Sequence, residues 1–115
     1  MPGLKPILVT LAGKERFQRL LAGTPATAGM KSGCVSLQPG ESVGEHKTES
    51  KEEAIIILEG TAAIYCEGAI VFTGKANDLV YMPPETNHDI QNTGQAVLKY
   101  VYVVAPVSQG HADSL

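Results

Sequence analysis

Residues 39–60 read PGESVGEHKTESKEEAIIILEG, and this stretch decides the fold. Its second half, Ala54 to Leu58, is a short, β-branched apolar run closed by Glu59-Gly60, which reads as a buried strand ended by a turn. Its first half is polar and carries His46, Thr48 and Glu53. Residues i and i+2 on a strand face one way, so His46 and Thr48 share a side. Glu53 leads directly into the apolar run, where a carboxylate needs a partner. Glu52 is offset by one position and faces outward if Glu53 faces in, and Glu45 and Glu49 read as solvated.

A second stretch, residues 77–92, reads NDLVYMPPETNHDIQN and sets His88 five residues after Pro83 and four before Asn92. The Pro83-Pro84 pair restricts the backbone ahead of His88 and gives its approach a defined direction. Asn92 precedes Thr93-Gly94 and reads first as a turn former.

At these residues the chain resembles the cupin superfamily. The first motif of that family is a Gly, His-x-His, Glu, Gly frame, matched here by Gly40, His46, Glu53 and Gly60. The second is a Gly, Pro-x-Gly, His, Asn frame, matched by Pro83, His88 and Asn92. Thr48 stands where the family has its second His, while Asn77 and Glu85 replace the two glycines of the later frame. The resemblance implies a metal site, with His46, Glu53 and His88 as ligands. Two imidazoles and one carboxylate are the composition of the triad that holds non-heme iron, and they also suit zinc, manganese or nickel. A threonine hydroxyl is a poor ligand for such ions, so Thr48 is expected to hydrogen-bond a water or a neighbouring ligand. By alternation from Glu53 and His88, Ile55, Ile57 and Ile90 are expected to line an apolar pocket around the metal.

Outward from the two motifs, turn signals recur at Pro39-Gly40, Glu67-Gly68, Thr73-Gly74, Asn77-Asp78 and Thr93-Gly94. Short strands at this spacing indicate a sandwich or barrel and not a helical or α/β fold; the resemblance implies the all-β jelly-roll barrel, the double-stranded β-helix, of the cupins. One short N-terminal helix is expected within Gly13 to Gly23, where Phe17, Leu20 and Leu21 fall on one helical face. The expected organisation is an arm with this helix over residues 1–32, a barrel over 33–107 and a flexible tail over 108–115 that includes His111. Strands 54–58 and 97–104 are apolar on both parities. Apolar residues on an outer sheet face call for a covering layer, so a homodimer that uses those faces is expected.

At 115 residues, 43% hydrophobic and with net charge −3, the chain reads as one domain with a real core and no basic footprint. Nucleic acid and anionic membrane surfaces are therefore not expected partners, and no apolar run approaches a membrane span. The N-terminal MPGLKPILVTLAGKERF lacks the small-residue cleavage site of a signal peptide and reads as part of the mature fold. Cys34 and Cys66 form no C-x-x-C motif and read as buried apolar residues in a reducing cytoplasm.

The function that the resemblance implies is that of a small cupin holding one divalent metal and binding or transforming a small organic molecule. No residue stands out as a general base: a water acidified by the ion is one candidate, and Tyr65, Tyr81, Tyr100 and Tyr102 are others of equal rank. The fold alone does not select a reaction. The alternatives are a metal-free binding module for a metabolite or sugar, in which Thr48 marks a decayed site, and a purely structural dimerisation barrel.

Overall fold

The computed structural model describes residues 3–12 and 15–108, so His111 and all but the first residue of the expected tail lie outside it. Nine strands follow in order: β1 (Phe17–Ala22), β2 (Lys31–Leu37), β3 (His46–Lys47), β4 (Lys51–Glu59), β5 (Thr61–Cys66), β6 (Ala69–Lys75), β7 (Leu79–Met82), β8 (Asn87–Asn92) and β9 (Leu98–Pro106). They form a five-stranded sheet, β1-β2-β9-β4-β7, and a four-stranded sheet, β3-β8-β5-β6. Every pairing is antiparallel. No helix among the described residues is long and apolar enough to cross a membrane.

Alternation explains which face each strand buries. Along β4, Glu53, Ile55 and Ile57 are buried while Glu52 and Ile56 are exposed. The inner faces of both sheets meet in one core that includes Leu37, Ile55, Ile57, Ile64, Ile90 and Leu98. The turn between β4 and β5 is made by Gly60 at φ 88°. A Cβ there would lie 2.5 Å from the Val97 carbonyl oxygen, so no other residue fits without moving the β8–β9 loop. Glu67 and Gly68, both at positive φ, close the β5–β6 hairpin in the two-residue form whose twist matches the strands.

The expected N-terminal helix is not formed. Phe17 to Ala22 is instead the edge strand β1, paired with β2 from Phe17↔Val35 to Ala22↔Lys31. The register shifts between Arg19 and Leu21, which sit opposite Gly33 and Ser32. Leu20 is thus the extra residue of a β-bulge, and the bulge accommodates the adjacent Leu20-Leu21 pair that mimics helical spacing. One short amphipathic helix gains little by itself, whereas β2 offers a full row of backbone partners. Gln18 then secures the segment ahead of β1, accepting from the Ala12 N–H at 2.7 Å and donating to the Thr10 carbonyl at 3.0 Å.

The outer face of the five-stranded sheet is apolar across three strands. Ala54 stands beside Tyr81 and Val103, and Ile56 beside Leu79 and Val101. Leu79 and Tyr81 are more than half exposed.

Candidate metal centre

The site bridges the two sheets. β3 and β8 pair so that His46 lies directly opposite His88, and their rings stand 4.2 Å apart, tilted by 57°. Glu53 comes from β4 in the other sheet, and its Oε1 lies 2.9 Å from His88 Nε2. One ligand atom from each of His46, Glu53 and His88 falls within a 4.8 Å set. Side chains from three strands therefore converge at one end of the barrel interior.

Their environments prepare them unequally. His88 and Glu53 are buried and His46 is exposed. The Nδ1 atoms of both histidines face backbone carbonyls, Gly44 O at 2.9 Å for His46 and Thr86 O at 3.2 Å for His88. A carbonyl only accepts, so in the neutral imidazole each Nδ1 carries the proton and each Nε2 keeps a lone pair. Although His88 Nε2 is close to the Glu53 carboxylate, the two are not aligned as a hydrogen bond, and Nε2 is a buried polar atom with no bonded partner. Buried polar atoms are rarely left this way, and an unmodified imidazole nitrogen facing a carboxylate and a second imidazole fits a cation. The donor set present thus suits a divalent transition metal. Burial pushes the His88 imidazole down, but Glu53, the Thr86 carbonyl and Asp89 together outweigh it, so its pKa stands above that of an ordinary histidine.

Thr48 is buried, and its hydroxyl is committed to backbone. It donates to the Pro83 carbonyl at 2.7 Å and accepts from the Thr86 N–H at 3.0 Å. The Thr48 N–H in turn donates to Thr86 O at 3.1 Å, the same carbonyl that orients His88. Thr48 thereby pins the β7–β8 turn on which His88 depends. The two residues that replace the family's glycines keep the glycine backbone, Asn77 at φ 77° and Glu85 at φ 57°. Asn92 is fully buried; its amide donates to Leu37 O and Ala96 O, and its Oδ1 accepts from the Gly94 N–H. It is a structural latch between β2, β8 and the following loop.

A cavity of about 330 Å³ opens beside His46, Thr48 and Glu53. Of the three isoleucines expected around it, Ile90 lines it, whereas Ile55 and Ile57 are sealed in the core. Alternation turns both inward, but strand rise carries them roughly 7 and 13 Å beyond Glu53, past the cavity floor. The wall is completed by Phe17, Val35, Val43 and Val104, with Lys47, Lys51, Tyr100 and Tyr102 as further polar members. Most of these were readable by parity: Lys51 is two residues from Glu53, and Tyr100, Tyr102 and Val104 share one face of β9. Phe17 was hidden by the helical reading of its segment.

The structure also separates the tyrosines. The Tyr65 hydroxyl donates to Gln91 and that of Tyr81 to Glu52, both away from the cavity. Burial, and secondarily the Glu53 charge, pushes the Tyr100 hydroxyl far up, and burial raises Tyr102 too. Both stay protonated near neutrality and act as donors. Burial likewise raises the Cys34 and Cys66 thiols, so neither is a ready nucleophile.

Comparison with known proteins agrees with this geometry. The family model described as "Cupin domain" matches residues 33–104. A Streptomyces cyaneus protein named polyketide synthase CurC is 30% identical over 98 residues, which span 79% of this chain and 63% of that one. An oxalate-binding protein of Thermotoga maritima is 36% identical over 70 residues, 61% of this chain and 57% of that protein. The chain thus spans less than two thirds of the length of either relative. Among solved structures, a cupin 2 conserved barrel domain protein from Salinispora arenicola superposes with a TM-score of 0.71 at 22% identity, covering 96% of each chain. With two sheets closed around a His46–Glu53–His88 cluster and the family's frame running from β2 into β9, this chain belongs to the cupin family.

Proposed function

We propose that the chain binds one divalent transition-metal ion through His46, Glu53 and His88 and holds a small organic molecule in the cavity beside it. The observation that carries this reading is the buried, unbonded Nε2 of His88, within reach of two further donors. Iron, manganese, zinc and nickel all accept this donor set. A bound ion would supply Lewis acidity at the inner wall of the cavity. The chain's own residues do the rest. Gly44 and Thr86 hold the imidazole protons on Nδ1, Thr48 fixes the turn carrying His88, and Tyr100 offers a donor hydroxyl. The oxalate-binding relative supports a ligand-holding role. Purification without added metal, followed by elemental analysis, tests the assignment: about one equivalent is expected in wild type and none in His88→Ala. Metal-free protein that also refuses iron, manganese, zinc and nickel under anaerobic loading would instead favour a metal-free binding module, the reading favoured by Thr48 in place of a second histidine.

The same proposal extends to assembly and setting. The apolar outer face around Ile56, Leu79 and Tyr81 is assigned to contact with a second copy, since a monomer rarely leaves such a patch open. Light scattering is expected to show a dimer that Leu79→Lys converts to monomer. Free Cys34 and Cys66 suit the reducing cytoplasm.

A further inference from the structure

We propose that the cavity takes an organic carboxylate with an apolar body, its charged end held at the mouth by the Lys51 ammonium. This rests on reading the cavity as the ligand site beside the three candidate metal ligands. Lys51 stands on β4 two residues ahead of Glu53, so strand alternation turns it toward the same interior, and both line the cavity. Lys47 also lines the cavity, but it lies 3.5 Å from the Glu85 carboxylate, as Lys75 lies 3.7 Å from Asp78. Lys51 is half-buried and has no such partner among the described residues. With Glu53 turned to His88, the half-buried Lys51 ammonium on a largely apolar wall has no paired carboxylate among the described residues, and an anion placed there supplies one.

The remaining polar groups point to the same chemistry. Tyr100 and Tyr102 line the cavity and, unlike Tyr65 and Tyr81, have no side-chain hydrogen-bond partner among the described residues. They can donate to a ligand oxygen. Glu53, the one carboxylate on the wall, faces His88 at 2.9 Å. The groups left to meet a ligand are therefore mostly donors, which selects an acceptor-rich anion over an amine and offers a sugar few acceptors. Phe17 and Tyr102, stacked at 6.4 Å, together with Val35, Ile90 and Val104, form an apolar wall that an organic body would cover and that a bare dianion such as oxalate would leave unfilled.

Calorimetric titration of the full chain with benzoate, benzamide, benzylamine and acetate tests the proposal, in zinc-loaded and in chelator-treated protein. Benzoate is expected to bind at least ~10-fold more tightly than each of the other three. Lys51→Met is expected to weaken benzoate ~10-fold or more, with zinc stoichiometry unchanged, and Lys51→Arg to stay within about threefold of wild type. Benzamide or benzylamine matching benzoate, acetate matching benzoate, an unaffected Lys51→Met variant, or no benzoate binding in either form would each overturn it. Because Lys51 is not a candidate metal ligand, its effect is also read in the chelated protein. Failure to take up zinc, and likewise iron, manganese and nickel, removes the metal assignment alone, and loss of carboxylate selectivity removes this inference alone.

Discussion

The two ends of the barrel share β2, β4 and β9 and do opposite things. At one end, Ile57, Ile64, Leu37 and Leu98 are at most 1% exposed and fill the interior. At the other, β4 brings Glu53 and Lys51, β2 and β9 bring Val35 and Tyr100, and β3 adds His46 around a cavity of about 330 Å³. β4 shows the change within one strand: Lys51 and Glu53 face the cavity, while Ile55 and Ile57, on the same face, face the core. A single alternation therefore serves stability at one end and chemistry at the other, and position along the strand decides which.

That contrast can be broken most forcefully at the closed end. Ile64→Ala is expected to cost about 2–5 kcal/mol, the range for truncating a fully buried aliphatic, while the folded fraction keeps its metal stoichiometry. Urea denaturation with elemental analysis reads both, and loss of metal from folded protein would show that the two ends are not separable. Thr48→Ala sharpens the comparison from the other side. It leaves the Pro83 carbonyl and Thr86 N–H without their partner, so a loss of about 1–3 kcal/mol is expected. Because Thr86 orients His88, metal affinity is expected to fall by roughly 10–100-fold as well, measured by chelator competition. An effect on stability with none on affinity would confine Thr48 to a packing role.

A smaller effect, of opposite sign, is expected at Glu85. Its left-handed backbone at φ 57° is costly for a residue with a Cβ, so Glu85→Gly is expected to stabilise by about 1 kcal/mol. The loss of its exposed ion pair with Lys47 subtracts little. A lower urea midpoint would show that the contact matters more than the backbone.

The gentlest probe is pH. His88 has a folded pKa above its ordinary value, held up chiefly by Glu53 against burial. In metal-free protein its contribution to stability is fully present below the ordinary imidazole pKa and is lost as pH rises through the raised folded value. The stability gap between wild type and His88→Gln is therefore expected to narrow with rising pH in urea titrations. Metal uptake follows the reverse trend, weakening as pH falls and protons compete for Nε2. A gap that widens with pH would contradict the electrostatic picture of the buried pair.

Much of this was legible in particular residues. The strand nature of Ala54 to Leu58 and the closing role of Gly60 follow from spacing and alternation, because a period of two leaves few choices, whereas the grouping of His46, Glu53 and His88 came from the family resemblance. The family resemblance at Gly40, His46, Glu53, His88 and Asn92 supplied the barrel. The N-terminal segment misled for a local reason, since a bulge at Leu20 imitates helical spacing. Thr48 was read as a partner of water or of another ligand; its hydroxyl is instead saturated by Pro83 and Thr86.

The amino-acid sequence by itself determined an all-β domain of the cupin kind and named the three candidate metal ligands, because strand alternation and motif spacing are local properties carried along the chain. Only the tertiary structure decided that Phe17 to Ala22 is an edge strand, that Ile55 and Ile57 lie below the cavity and not around it, and that His88 presents a bare nitrogen to Glu53. Those facts depend on which strands meet across the barrel and at what height, and contacts between residues far apart in the chain leave no periodic trace within it.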